Sequence, residues 1–255
     1  MLVLLPPSET KREGGDAERA LDLDRLRYPS LTRIRRSLVR AVSKLAHDEA
    51  ATITALRLGP RQHGEVERNR VIASAPVMPA IDRYTGVLYD ALDAATLSEA
   101  GRASAERHLL IHSALFGPVG ALDAIPAYRL SWDSRLPDTR LASVWAGAVS
   151  EQLGRHDGLI VDLRSEGYAK LGPLPERPDA VYVRVVSSDP SRPRPLNHFN
   201  KRSKGLFVRA LMERGEPVGD ADDLVAWAAQ AGFTLRRAES GELHLVEVAA
   251  VSGAA

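Results

Sequence analysis

Short apolar runs that stop abruptly alternate along this chain with segments whose apolar residues fall three and four positions apart. Leu2 to Leu5 is an uninterrupted apolar run closed by Pro6 and Pro7, the pattern of a buried strand ending in a sharp turn. Pro29 to Leu58 carries Leu31, Ile34, Leu38, Val42 and Leu45 at helical spacing and predicts one helix. Its Arg33, Arg35, Arg36, Arg40 and Lys44 are expected on a solvated face. Tyr84 to Leu110 predicts two helices joined by a tight connection at Asp93 to Leu97, the second starting at the capping residue Ser98. A helix over Thr139 to Leu153 runs into the apolar strand Gly158 to Leu163. Ala180 to Ser188 alternates like a strand with one wetter face, and helices are expected over Lys201 to Arg214 and Asp220 to Ala231. The chain closes with a hairpin turning at Ser240 and Gly241. Strands alternating with helices predict an α/β fold, a mixed sheet wrapped by helices.

One stretch fits neither period. From His112 to Pro137, Gly117, Pro118, Gly120 and Pro126 interrupt an apolar run every few residues, so the backbone is expected to follow an irregular path. Length and composition change the picture little: 255 residues, 44% hydrophobic and 26% charged, fit one compact domain spanning 1–255 with a flexible tail at about 250–255. No apolar run reaches the ~20 residues of a membrane span, and the opening lacks a basic leader, so a cytoplasmic location without membrane contact is expected. The absence of cysteine excludes thiol peroxidase chemistry and thiolate-bound metal. A net charge of +1 gives no general attraction for polyanions, so any basic surface must be local.

Candidate chemistry gathers in three places. Ser8, Glu9 and Lys11 follow the first strand, while Ser165, Glu166, Tyr168 and Lys170 follow the strand at Gly158 to Leu163. Ligands of open α/β sheets bind at strand carboxyl ends, so these two loops are expected to converge on one cleft. Arg192, Arg194, Lys201, Arg202, Lys204, Arg209 and Arg214 form the densest basic run, with Lys201 and Lys204 on one helix face. Tyr128 and Arg129, with Trp132 and Asp133, supply an aromatic and a guanidinium suited to stacking and phosphate binding. The bland alternatives are a core Tyr128 and an Arg129 paired with Asp123 or Glu166. His47, Asp48 and Glu49 are adjacent, and Glu106 and His108 are two apart; neither spacing builds a metal site, and no cofactor is expected.

Three ordered blocks carry a resemblance. HSALFGPVGALDAIPAYRL resembles the SGLYG-x-LRPLD-x-I-x-PYRLE block of the peroxide stress resistance proteins called YaaA. Ser113, Leu115, Gly117, Leu122, Asp123, Ile125, Tyr128, Arg129 and Leu130 stand in matching places. VDLRSEGYAKL resembles that family's INLAS-x-EY-x-K, with Arg164 and Gly167 departing from the pattern, and KRSKGLFVRAL resembles KKARGLM-x-R. The resemblance implies a protein that responds to hydrogen peroxide, binds double-stranded DNA through backbone and shape, and limits iron-driven damage without turnover. It places phosphate contacts on Lys11, Arg129, Lys170, Lys201, Arg202, Lys204 and Arg209 in a basic cleft lined by Ser8 and Tyr128. A helix-hairpin-helix at Asp93 to Ser98 would offer backbone amides. The alternative is an enzyme acting on a nucleotide, nucleobase or other phosphorylated small molecule, with Glu9, Glu166, Ser165 and Tyr168 as its catalytic groups.

Overall fold

The structure, a computed structural model, describes residues 1–188 and 197–248. Nine strands are described: β1 Leu2–Leu5, β2 Met78–Pro79, β3 Leu109–Ser113, β4 Gly117–Gly120, β5 Ala124–Ile125, β6 Ile160–Asp162, β7 Ala180–Val186, β8 Leu235–Arg237 and β9 Leu243–Val246. The helices are α1 Thr32–Leu45, α2 Glu49–Leu56, α3 Glu65–Arg70, α4 Ala80–Arg83, α5 Val87–Leu92, α6 Glu99–His108, α7 Leu141–Gly154, α8 Glu166–Ala169, α9 Asn197–Glu213 and α10 Ala221–Gln230. Seven strands form one sheet in the order β4-β3-β1-β6-β7-β9-β8, and β2 pairs β5 in a separate ribbon. From β3 to β9 neighbouring strands are parallel; β4 and β8 close the two edges antiparallel. This is the expected mixed α/β sheet. The tail expected at 250–255 lies outside the described residues.

Burial explains the sequence pattern. All of β1 and β3 is buried, as befits parallel strands covered on both faces, whereas β7 alternates between buried and half-buried positions. Every residue from Leu109 to Ala121 is buried, which removes the two-residue alternation that marks a strand. The irregular path expected after His112 therefore begins as a β3–β4 hairpin and loses regularity only beyond β5.

The single helix expected over Pro29 to Leu58 is broken. A 3-10 turn at Pro29–Leu31 precedes α1, and Asp48 caps α2 by accepting from the Ala51 amide. Arg35 is not on a solvated face. It is fully buried, and its guanidinium donates to the carbonyls of Arg27, Tyr28, Phe116 and Pro118. Arg83 is buried in the same way against the carbonyls of Arg12, Gly14, Pro76 and Ile125. Arg164, the third, chelates Asp162 with two bonds of 2.8 and 2.6 Å and also reaches His112 Nδ1 and the Gly172 carbonyl.

Helix α9 lies across α5 at Gly205, where a Cβ would stand 2.2 Å from the Leu88 carbonyl oxygen. Only glycine permits that approach, which brings Lys201 and Lys204 beside the sheet. Gly205→Ala is expected to push the two helices apart and cost about 1–3 kcal/mol, read as a lower urea midpoint at unchanged slope.

Candidate functional site

In the strand order, β1 sits between β3 and β6, so the chain leaves β1 toward one side of the sheet and returns on the other. A crevice opens at the carboxyl ends of strands where the order reverses in this way. Here it is a cleft of about 830 Å³ lined by the loop after β1 (Ser8, Glu9), the short α8 with its two caps (Ser165, Glu166, Tyr168, Lys170), β7 (Tyr182, Arg184) and α9 (Lys201, Lys204), with Trp132 alongside. The two strand-end loops that the sequence singles out thus share one cleft, joined by the basic helix.

Its charges are of both signs. Glu9 accepts from Arg129 Nη2 at 2.7 Å, and Glu166 accepts from Arg184 Nη1 at 2.8 Å. Arg184 also forms two bonds to Glu242, and hydrogen bonding to both carboxylates raises its pKa further. The Arg184 hydrogen bond holds Glu166 below the ordinary carboxylate range. Lys170 and Lys201 are exposed, and among the described residues neither enters an ion pair.

Several expected contacts sit elsewhere. Tyr128 does not line the cleft: it is fully buried, its hydroxyl 2.8 Å from Tyr84 Oη and 2.6 Å from Ser113 Oγ. Burial pushes its pKa well up, so it stays a neutral core residue. Arg129 is nearly buried, and its partner is Glu9 rather than Asp123 or Glu166. The buried Asn69 fixes it by bonding both its amide and its carbonyl at 2.7 Å. Arg202 and Arg209 line a second, shallower depression with Asp90 and Asp93. Arg209 donates to the carbonyls of Leu92, Asp93 and Thr96, which closes the α5–α6 hairpin. The Ser98 amide of that hairpin donates to Glu213, and Ser98 Oγ caps α6, so the amide is already engaged within the fold. Arg192 and Arg194 lie outside the described residues. Among the described residues no three His, Asp or Glu side chains gather as a metal site.

Sequence reading missed Trp132 as a cleft residue in its own right and Tyr182. Trp132 is 44% exposed and rests on Gly167, where a Cβ would meet the indole at 2.3 Å. The glycine at 167, noticed only as a departure from pattern, is the signal that finds it.

Two lysines are buried. Lys204 Nζ donates to the Leu163 carbonyl at 2.7 Å and to that of Arg164 at 3.4 Å, and burial lowers its pKa to about 8. Lys11 Nζ donates to the Ser8 and Glu9 carbonyls and lies 4.2 Å from the centre of the Tyr128 ring. Burial, seconded by Arg129, lowers its pKa to about 7. It pins the loop from beneath.

The unfolded chain binds the Lys11 proton up to about pH 10.4, whereas the folded chain releases it near 7. Between these values the unfolded state holds more protons, so stability rises with pH. Lys11→Met is expected to flatten that rise in urea midpoint, most clearly from about pH 7 to 8, below the range where Lys204 contributes fully.

The whole molecule has known relatives. Residues 1–239 match the family model described as peroxide stress protein YaaA. A UPF0246 protein of Corynebacterium glutamicum strain R is 42% identical over 242 residues, covering 92% of this chain and 94% of its own. One from Streptomyces coelicolor is 40% identical over 231 residues, 87% of each chain, and one from Lactobacillus delbrueckii subsp. bulgaricus is 28% identical over 176. With that span of agreement laid over the cleft, its two strand-end loops and the basic helix, the chain belongs to the YaaA family of peroxide stress proteins.

Proposed function

We propose that this chain is a cytoplasmic protein that shields DNA during peroxide stress by gripping its phosphate backbone, with one unstacked nucleotide unit seated in the cleft. Covering the strand would keep iron-generated radicals from the sugars. The observation that carries the reading is the exposed Trp132 indole on the same cleft as Lys170 and Lys201, two cations without an acid partner among the described residues. An aromatic face beside lysines is the chemistry of sequence-blind binding: the ring stacks on any base, and the ammonium groups meet the phosphates on either side. A cleft of about 830 Å³ suits one nucleotide, not the width of a duplex. Duplex binding would therefore use the rim or extrude a base.

The enzyme reading draws on the convergence of Glu9 and Glu166. Both carboxylates are mostly exposed and tied to a guanidinium. The Arg184 hydrogen bond favours the ionised form of Glu166 and makes it a weak general acid, and Glu9 is held by Arg129, so binding is the better supported function.

A titration with single-stranded and duplex DNA at two salt concentrations tests the proposal. Trp132→Ala is expected to weaken single-strand binding by about 1–3 kcal/mol with the salt slope unchanged. Lys170→Ala and Lys201→Ala should each lower the slope by roughly 0.7 and act alike on all sequences. Salt-insensitive binding of a mononucleotide with no affinity for the polymer would favour the enzyme.

A further inference from the structure

Lys204 is placed for a task that its neighbours on α9 are not. It lines the cleft while only 5% exposed, three residues after the exposed Lys201. Its amine faces the carbonyls of Leu163 and Arg164 at the carboxyl end of β6, and no carboxylate lies within ion-pair distance among the described residues. The Tyr182 hydroxyl donates to the Arg164 carbonyl at 2.9 Å and closes that side. A neutral amine has two N–H bonds and one lone pair. The two carbonyls take the N–H bonds, which leaves the lone pair as the one tetrahedral position not committed to the protein.

We propose that Lys204 is the nucleophile of a carbonyl-capturing site, forming an imine with a phosphorylated sugar aldehyde whose phosphate rests between Lys170 and Lys201. The lone pair attacks the aldehyde carbon, and the carbonyl π pair moves to oxygen, which takes a proton from solvent. The nitrogen then gives up one proton, and the carbinol oxygen leaves as water with a second, so that amine, aldehyde and one proton become a protonated imine and water. Opening of a deoxyribose that has lost its base supplies such an aldehyde within a strand; a free sugar phosphate supplies it in solution. The proposal rests on the reading of the rim as a phosphate site.

Protonation agrees with this role. Desolvation draws the Lys204 pKa down to about 8, with Asp162 on β6 opposing and Arg184 on β7 assisting. Glu166 and Lys201 line the same cleft, while Tyr182, its own pKa pushed up to about 12, stays neutral. About half of the Lys204 amines are then free base near pH 8, against well under 1% for a lysine at the ordinary value.

The test is reductive trapping. The full chain is incubated with cyanoborohydride and either a single-stranded oligonucleotide carrying one abasic unit or 2-deoxyribose 5-phosphate, and adducts are mapped by peptide mass. Expected is one adduct per chain, on Lys204, forming faster as pH rises through about 8. Lys204→Met and Lys204→Arg should each reduce it by roughly tenfold or more. Should either variant fail to fold, the position of the adduct in the unaltered chain decides. Adducts spread over Lys170, Lys201 and the amino terminus would overturn the proposal. So would no adduct from a chain that still binds the intact strand, which would leave the DNA reading standing. Trapping of the sugar phosphate alone would keep the nucleophile and remove the nucleic acid as its source.

Discussion

Three guanidinium groups with no access to solvent hold the irregular half of this molecule in place. Arg35 and Arg83 each satisfy four main-chain carbonyls, and Arg164 joins the end of β6 to β3 and to the turn at Gly172. Taking a charge out of water costs several kcal/mol, which its hydrogen bonds must offset at roughly 1.5–3 kcal/mol each. Loops that cross the interior present carbonyls with no strand or helix to pair with, and a fork of five donors serves more of them than any other side chain. Arg35 binds the approach to α1 to β4, and Arg83 gathers the segments at 12–14, 76 and 125. Substituting either removes donors from four carbonyls at once.

These anchors set the geometry of the cleft from below. Arg164 turns the chain sharply after β6, so that Ser165 and Glu166 face the loop after β1 and its own carbonyl faces Lys204 and Tyr182. Lys11 and the Asn69–Arg129 pair do the same for the opposite wall. The walls are thus fixed by buried basic side chains bonded inside the fold, while the cations left at the rim, Lys170 and Lys201, stand at the carboxyl end of α8 and on α9.

Much of this was legible in the chain because periodicity reports burial on one face. β1, α7, β6, β7, α10 and the β8–β9 hairpin lie where their spacing puts them, and the strand-end loops meet as sheet topology requires. The signal failed where both faces are buried or where charge is buried. The β3–β4 hairpin has no alternation to read, and nothing local distinguishes the buried Arg35 from its solvated neighbours Arg33 and Arg36. At the site, residue type located the cleft but not the state of its members. Lys11, Tyr128 and Arg129 look like ligand groups in sequence, and only their distant partners Glu9, Asn69, Tyr84 and Ser113 show them to be internal supports.

The two antiparallel margins of the sheet have a consequence for how copies of this chain behave toward one another. β4 is four residues long and carries Pro118, which has no amide to offer, and Trp145 packs at Gly117 beside it. β8 is three residues long and shows Arg236 and Arg237 to solvent. Short margins of this kind, one proline-blocked and the other cationic, give an incoming strand almost nothing to zip onto, which disfavours polymerisation by strand addition even at high concentrations of partly unfolded chains.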